Sequence, residues 1–183
     1  MATHTLETAE DGHPQGGHHM IQKISTFLWF DTEAEEAAHF YVSIFKNSEI
    51  RELRRFSDEV PGPKGKALIV DFVLDGQRFI ALNGGPDQKL TPAMSLMVFC
   101  ESQQEIDELW GKLTADGGEP GVCGWLTDRF GLSWQIVPDT LTELLQEVGD
   151  GAGDRAMKAL MEMTKLDVAA LRDARKQKVQ AGL

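Results

Sequence analysis

Hydrophobic and polar residues along this chain follow two periods, one of about two residues and one of about three to four. The run ISTFLWF at 24–30 is apolar, β-branched and aromatic, which is typical of a strand. In 31–45 the apolar residues recur every three or four positions, which indicates an amphipathic helix. The pattern then predicts three further strands, with a DG turn between the last two, at 48–59, 66–76 and 77–84.

The second part of the chain repeats this order. It predicts a strand, a helix and two more strands at 93–100, 102–118, 123–130 and 133–139. Phe99 follows Phe30 at an offset of 69 residues, the two helices share that offset, and the closing strands match at an offset of 54. We therefore predict an α+β protein of two paired βαβββ modules, at 21–92 and 93–140. Each module has one helix, which covers one face of its strands and leaves the other face for a cleft or a partner.

The two ends of the chain differ from these modules. Residues 1–20 are polar and Gly-rich without hydrophobic periodicity, which predicts a flexible tail. Apolar residues recur at helical spacing at 141–148 and 154–180, so the segment 141–183 is predicted to be helical, with GDGAG at 149–153 as a linker. We expect the methionines of the last helix to pack in a core or on a docking surface, since thioethers fill irregular gaps.

Composition narrows the classes of function. The net charge of −11 over 183 residues argues against binding to nucleic acid or to an anionic membrane surface, because both need clustered Lys and Arg. No apolar run approaches the roughly 20 residues that cross a bilayer, and the N-terminus lacks the basic start and apolar core of a secretory signal. The two cysteines, Cys100 and Cys123, are predicted to be reduced thiols in a cytoplasmic protein.

Five runs carry a resemblance to a known family: LWFDTEAEEAAHFYVSIFKNS, ALNGGP, TPAMSL, CGWLTDRFGLSWQIVP and KLDVAAL. They resemble the PhnB-like subfamily of the vicinal oxygen chelate superfamily, which also contains glyoxalase I, bleomycin-resistance proteins and extradiol dioxygenases. The subfamily often carries the name 3-demethylubiquinone-9 3-methyltransferase. The resemblance implies that the strands form an open curved sheet with a concave cleft, and that two copies form a homodimer.

The resemblance also implies where a metal ion would bind. Superfamily enzymes hold a divalent metal on the first and last strands of each module, and the repeat projects these positions onto Ser25, Ala81, Met94 and Gln135. Only Gln135 is a suitable oxygen ligand, and zinc or iron sites normally need imidazole or thiolate ligands. His39 lies on a helix, in the wrong layer. We therefore predict that the protein has no metal site and no cofactor.

Strand alternation predicts the lining of the cleft. If Gln135 faces the cleft, then Ser25, Phe27 and Trp29 of the first strand and Asn83 of a closing strand face it as well. This lining is aromatic and amide-rich, with few charges. Such a lining suits a small apolar or aromatic ligand that is held by a few hydrogen bonds.

Three residues of the run CGWLTDRFG are candidates for catalysis. In a catalytic interpretation, Arg129 binds an anionic substrate and Asp128 acts as a base, while Cys123 is a nucleophile if a base lies nearby to form the thiolate. In the structural interpretation, Asp128 and Arg129 form a turn-side ion pair and Cys123 is a packed thiol. The structural interpretation of Cys123 is favoured because His39 is the only histidine after residue 20.

Three functions remain open on these residues. The first is a metal-independent protein that binds a small apolar or aromatic molecule in the cleft. The second is an enzyme, either the methyltransferase of the family name or a lyase or isomerase that uses Asp128 and Arg129. Against methyl transfer, GDGAG follows a helix rather than the first strand of a doubly wound sheet. The third is a dimer with a vestigial cleft.

Overall fold

The computed structural model describes residues 23–177, so the tail predicted at 1–20 lies outside the described residues. The first module contains β1 Thr26–Phe30, α1 Ala34–Ile44, β2 Glu49–Arg55, β3 Ala67–Leu74 and β4 Gln77–Asn83. The second contains β5 Ser95–Cys100, α2 Gln103–Leu113, β6 Glu119–Pro120, β7 Trp125–Thr127 and β8 Ser133–Pro138. Three helices follow, α3 Leu141–Leu145, α4 Ala152–Met161 and α5 Val168–Lys176.

The strands form two four-stranded sheets, an N-terminal sheet in the order β1-β4-β3-β2 and a C-terminal sheet in the order β5-β8-β7-β6. In each sheet the first strand of the module pairs in parallel with the last, and the other pairs are antiparallel. The predicted α+β fold of two βαβββ modules followed by helices is confirmed. The sequence pattern misses β6, because its two residues are too few to show an alternation.

One hydrophobic core joins the two modules. Leu28 and Phe72 contribute to it from the N-terminal sheet, and Trp134 and Ile136 from the C-terminal sheet, all buried. Tyr41 of α1 connects the two sides, since the centre of its ring lies 6.4 Å from that of Phe72 and 5.4 Å from that of Trp134. The faces of both sheets that pack on helices therefore point toward this shared core. The opposite faces, called the open faces below, point away from each other.

The strand register corrects the predicted alignment of the two modules. Phe27 pairs with Ile80 and Met97 pairs with Gln135, and all four side chains lie on the open faces. Met97 follows Phe27 by 70 residues and Gln135 follows Ile80 by 55 (97 − 27 and 135 − 80), so each predicted strand offset is one residue too short. A shift of one residue moves a side chain to the other face of its sheet.

The C-terminal helices form a second, smaller core around β8. Its buried members are Val137, Leu144, Leu160, Leu166 and Leu171. The prediction of one helix over 154–180 is wrong, because Asp167 begins a new helix by accepting a hydrogen bond from the amide of Ala170 at 2.9 Å. Within the described residues, no helix combines the length and the apolar character that crossing a membrane requires.

Candidate functional site

The open face of the N-terminal sheet is partly apolar. Phe27 of β1 is 52% exposed there, so the structure places this side chain where strand alternation predicts it. Ile80 of β4 pairs with Phe27 and lies beside it. A shallow cavity of about 200 Å³ is lined by apolar and charged residues of four strands: Phe27, Glu52, Arg54, Ile69, Asp71, Arg78 and Ile80.

Charged side chains cross this face, contrary to the expectation of a cleft with few charges. Arg78 and Asp71 form a bidentate ion pair, in which Arg78 Nε donates to both carboxylate oxygens of Asp71 at 3.0 Å. The side chain of Asp71 is only 14% exposed. Beside this pair, Arg54 Nε donates to Glu52 at 2.6 Å. The expectation failed because it considered only the first and last strands of the module, whereas β2 and β3 supply three of these four side chains.

The open face of the C-terminal sheet changes from hydroxyl groups to apolar groups along the strands. Cross-strand pairing places three rows of side chains on it: Ser95, Ser133 and Thr127; then Met97, Gln135 and Trp125; then Phe99 and Val137. Gln135 Nε2 donates to Ser95 Oγ at 2.9 Å, and the side-chain oxygen of Gln135 accepts no hydrogen bond from residues 23–177. Met97 and Phe99 are 44% and 59% exposed. This face can therefore offer a neutral hydrogen-bonding group and apolar surface side by side.

Trp29 lies on the open face of β1 but is partly covered by its own module. Its indole Nε1 donates to the carbonyl oxygen of Gly85 at 2.8 Å. The indole also packs on Gly84, where an added Cβ would lie 2.2 Å from the ring, so only glycine fits at that position. A ligand on this face can reach only part of the Trp29 ring. Ser25, which was predicted to lie beside it, precedes β1 and is half-buried.

Asn83 does not face the cleft, and the prediction that it does is wrong. Its side chain is on the helix-covered face, 8% exposed. There Oδ1 accepts a hydrogen bond from the amide of Ala34 at 2.8 Å, and Nδ2 donates to the carbonyl of Ala67 at 3.0 Å. Asn83 therefore caps the N-terminus of α1 from a distant strand. Ala81 is fully buried on the same face, for the same reason of register.

Asp128 is buried in the core between the modules rather than exposed to a substrate. Its Oδ2 accepts hydrogen bonds from Tyr41 Oη and Trp134 Nε1, both at 2.8 Å. Its Oδ1 accepts hydrogen bonds from the backbone amides of Phe130 and Leu132 at 2.9 and 3.1 Å. Burial raises the pKa of the Asp128 carboxyl, although the four hydrogen bonds oppose the rise. With four hydrogen bonds from within the chain and only 3% exposure, Asp128 fits a structural role better than that of a catalytic base.

Arg129 is also committed to contacts within the chain. Its guanidinium carbon lies 4.7 Å and 4.8 Å from the ring centres of Phe40 and Phe130. Its terminal nitrogens pair with Glu36 at 3.1 Å and with Asp116 at 3.4 Å. Arg129 thus connects α1 of the first module with the second module, next to the Asp128 network. These contacts favour a structural role for Arg129 over the binding of an anionic substrate.

Cys123 lies just before β7, at one end of the open face of the C-terminal sheet. It is half-buried, with a backbone φ of 58°. Its amide donates to the carbonyl of Met163 at 2.7 Å, and within residues 23–177 its thiol has no hydrogen-bond or ion-pair partner that would serve as a base. The other cysteine, Cys100, is buried, and burial raises its pKa to about 12. Asp128 and Arg129 thus lie between the two modules, whereas Cys123 lies at one end of an open face, so the three catalytic candidates do not share a cleft.

The corrected register also moves the positions at which a metal would bind. Gln135 pairs with Met97 in the second module, and Phe27 pairs with Ile80 at the corresponding position of the first. None of Phe27, Ile80 and Met97 carries a side-chain ligand for a hard metal. In the part of the chain that the structure describes, no group of three or more His, Cys, Asp or Glu residues lies close enough together to hold a metal ion.

A larger cavity, of about 980 Å³, lies beside the N-terminal half of α1 rather than on an open face. Its lining includes four carboxylates, Asp31, Glu33, Glu35 and Glu36. Two are already paired, Glu35 with Arg55 at 2.8 Å and Glu36 with Arg129 at 3.1 Å, and the hydrogen bond from Arg55 lowers the pKa of Glu35. No pattern in the sequence indicates this cavity, because α1 and three separate loops form it. Phe56, Pro61 and Pro63 add apolar surface to its lining beside these carboxylates.

Comparison with known proteins identifies the relatives of this chain. A family model described as 3-demethylubiquinone-9 3-methyltransferase matches residues 22–137. A solved structure of a PhnB protein from Bacillus cereus, described by the same enzyme name, is 40% identical, with a TM-score of 0.59. The match covers 63% of this chain and 99% of the Bacillus cereus chain. Among curated proteins there is no match.

Two more distant structures show the fold alone. Protein PA1353 from Pseudomonas aeruginosa is 22% identical, with a TM-score of 0.53 and coverage of 63% of this chain and 96% of its own. The fosfomycin resistance protein FosX from Listeria monocytogenes is 19% identical, with a TM-score of 0.51 and coverage of 70% and 100%. With paired βαβββ modules and a family match over both, the chain belongs to the 3-demethylubiquinone-9 3-methyltransferase family of PhnB-like proteins.

Proposed function

We propose that this protein binds a small apolar or aromatic molecule, without a metal ion, in a cleft that a second copy of the chain completes. The observation that carries the proposal is the exposure of large apolar side chains on both open faces. Phe27 is 52% exposed on one, and Met97 and Phe99 are 44% and 59% exposed on the other. Apolar surface next to a few hydrogen-bonding groups is typical of small-molecule sites.

The two open faces need a second chain to meet. Within one chain they point away from the shared core, so they cannot enclose a ligand between them. Among residues 23–177, β1 pairs only with β4 and β5 pairs only with β8, which leaves one edge of each strand unpaired. Unpaired edges are suited to strand pairing with another chain. In a homodimer that joins β1 to the partner's β5, Phe27 faces the partner's Gln135 across a concave cleft.

Hydrogen bonding, not metal coordination, accounts best for the polar groups of this cleft. Gln135 is a neutral amide that already donates to Ser95 at 2.9 Å and keeps an oxygen available to a ligand. The Asp71–Arg78 pair has no net charge, since each group neutralises the other. A metal would have to bind among Phe27, Ile80 and Met97, which supply no oxygen, nitrogen or thiolate ligand. We infer that the ligand is uncharged and makes one or two hydrogen bonds.

Methyl transfer, the activity in the family name, has less support from the residues. The only glycine-rich loop with a G-x-G-x-G spacing is 149–153, and its donors are occupied. The carboxylate of Glu147 accepts hydrogen bonds from the amides of Gly149 and Gly151 at 2.8 and 2.9 Å and from that of Gly153 at 3.1 Å. The three glycine amides of this loop are therefore not available to a cofactor carboxylate.

A fluorescent probe tests the proposed cleft. N-phenylnaphthylamine is uncharged and aromatic, and we expect saturable binding to the protein with a rise in emission. The substitution Phe27→Ala should weaken this binding roughly tenfold, since an aromatic contact contributes about 1 kcal/mol beyond its buried area. Val148→Ala is the matched control, because Val148 is exposed outside the cleft. Equal affinity of the Phe27→Ala variant and the wild type would remove the open face of β1 from the site.

Two further measurements separate the alternatives. Chelation with EDTA should leave the affinity for N-phenylnaphthylamine unchanged, and a stoichiometric metal in the purified protein contradicts the metal-independent site. Calorimetry with S-adenosylmethionine should give no saturable heat. Saturable binding of that cofactor supports the enzyme of the family name over a binding protein.

A further inference from the structure

The three C-terminal helices extend the chain beyond the matched fold. The family match ends at residue 137, and the Bacillus cereus chain is covered almost in full, at 99%, by 63% of this chain. Helices α3, α4 and α5 all begin after that point. Whatever they add to the site is therefore a property of this chain that the matched fold does not contain.

These helices cover one end of an open face. Val137 has its side chain on the open face of the C-terminal sheet, two residues beyond Gln135, yet it is only 2% exposed. It is buried by leucines of the C-terminal segment, among them Leu160, Leu166 and Leu171. Its cross-strand neighbour Phe99 remains 59% exposed. Within the described residues, the C-terminal segment thus covers the open face at Val137 and leaves Phe99 exposed.

The contact is tightly held by the backbone. The amides of Cys123 and Gly124 donate to the carbonyls of Met163 and Thr164 at 2.7 and 2.8 Å. An added Cβ at Gly124, where φ is 81°, would lie 2.9 Å from the carbonyl oxygen of Ile136 on β8 and 3.1 Å from Cγ of Leu166, so the close approach of Leu166 requires glycine.

Helix α2 anchors the same segment from the other side. The side chain of Gln103 donates to Leu166 O at 3.0 Å and accepts from the amide of Val168 at 2.9 Å. The link between α4 and α5 is therefore fixed at two places, and it can act as a rigid boundary.

We propose that the C-terminal segment forms an end wall of the ligand cleft, and that the wall limits the length of the molecule that the cleft accepts. The wall consists of Cys123, Val137 and Met163, of which Cys123 and Met163 are half-buried at its rim. The proposal rests on the proposed function, because it assumes that an apolar ligand lies along the open faces. It assigns the ligand to short aromatic molecules rather than to those with long apolar tails.

A homologous series of ligands tests the wall. Displacement of N-phenylnaphthylamine by 4-alkylphenols should improve about fourfold with each added methylene, until the tail reaches the wall and the gain stops. Met163→Ala shortens the side chain at the wall, so the gain should continue for at least one further methylene. Met157→Ala is the control, since Met157 is 42% exposed on α4 and outside the second core. An unchanged limit in Met163→Ala overturns the wall.

A chemical modification that adds bulk to the wall gives a second test, which does not depend on the Met163→Ala variant. Iodoacetamide should alkylate Cys123 and spare Cys100, whose burial raises its pKa to about 12. The added group occupies the same end of the cleft, so the limit should move to a shorter tail. If Met163→Ala does not fold, the alkylated wild type decides, and an unchanged limit there overturns the wall as well. Failure of every alkylphenol and of the probe to bind the wild type overturns the proposed function itself.

Discussion

At Asp128, one carboxylate joins the two modules by accepting hydrogen bonds from Tyr41 of the first and Trp134 of the second, both at 2.8 Å. Asp128→Asn replaces one acceptor oxygen by an NH₂ donor, which then faces another donor. We expect the free energy of unfolding to fall by about 1–3 kcal/mol, as for a buried group left without its partner. Tyr41→Phe removes a single hydrogen bond and should cost about 1 kcal/mol. Urea denaturation measures both.

An exposed ion pair next to this network supplies the control. Glu36 pairs with Arg129 at 3.1 Å, but its side chain is 65% exposed. Glu36→Gln should change the free energy of unfolding by at most about 1 kcal/mol. Equal effects of Glu36→Gln and Asp128→Asn contradict a special role for the buried carboxylate.

The buried position of Asp128 also predicts an unusual dependence on pH. Burial holds the pKa of this carboxyl above its ordinary value of 3.8, so the folded state binds the proton more tightly than the unfolded state. As the pH falls from neutral toward 3.8, protonation of Asp128 therefore adds stability, whereas a carboxylate with a lowered pKa loses it. An asparagine does not titrate.

The difference between wild type and Asp128→Asn isolates this effect, because the other titrating groups are common to both proteins. The stability advantage of the wild type should be larger at about pH 4 than at neutral pH. Denaturation curves at the two pH values measure it. An advantage that shrinks on acidification shows that the folded state lowers this pKa instead.

The sequence marks Asp128 and Arg129 as polar neighbours but does not reveal their partners. The hydrogen bond from Tyr41 spans 87 positions along the chain. A catalytic Asp-Arg pair and a structural one have the same local sequence, because they differ only in which distant residues contact them in the folded protein. Burial and satisfied donors, which no local pattern contains, decide between the two interpretations.

At the scale of elements, Asn83 of β4 holds helix α1 in place. Its oxygen accepts a hydrogen bond from the amide of Ala34 and its NH₂ group donates to Ala67. Asn83→Ala leaves both backbone groups without this partner and should lower the free energy of unfolding by about 1–2 kcal/mol. The affinity for N-phenylnaphthylamine should stay at the wild-type value, because the side chain does not reach the open face. Thermal denaturation and probe titration measure the two effects.

The exposed amide of Gln104 on α2 serves as the matched control for Asn83. Gln104→Ala should leave both stability and affinity close to those of the wild type. A loss of probe binding in folded Asn83→Ala would reinstate the original prediction that this residue lines the cleft.

The error over Asn83 arose from how the repeat was aligned. The offset of 54 between the closing strands matched Gln135 with Ala81, but Ala81 is buried against the helices, and its neighbour Ile80 lies on the open face beside Phe27. Hydrophobicity alone does not distinguish the two faces of a strand when both faces carry apolar residues. Element type and order follow from periodicity in the sequence, whereas the register depends on which residues pair across strands.

At the scale of the whole molecule, the sequence predicts two modules but not their arrangement. The modules share one core because α1 packs on both sheets, for example through the stacking of Phe45 on Trp134 with ring centres 5.3 Å apart. Neither aromatic residue has a pattern that reveals this partner. The same arrangement turns the open faces apart, and it makes the cleft depend on a second copy of the chain.

A charge on the edge strand β5 tests the proposed homodimer. Phe99→Glu places a carboxylate on the open face of β5, beside the edge that would pair with the partner's β1, and a charge that is buried without an ion-pair partner costs several kcal/mol. We expect the dimer to weaken about a hundredfold, and the mass rather than the probe affinity reports this effect, because Phe99 also lines the proposed cleft. Sedimentation measures the mass against the 20.3 kDa of one chain. Met161→Glu, at a residue 66% exposed on α4, should leave the dimer intact. A wild type that binds the probe while it sediments as a single chain contradicts the shared cleft, because the open faces of one chain cannot enclose a ligand between them.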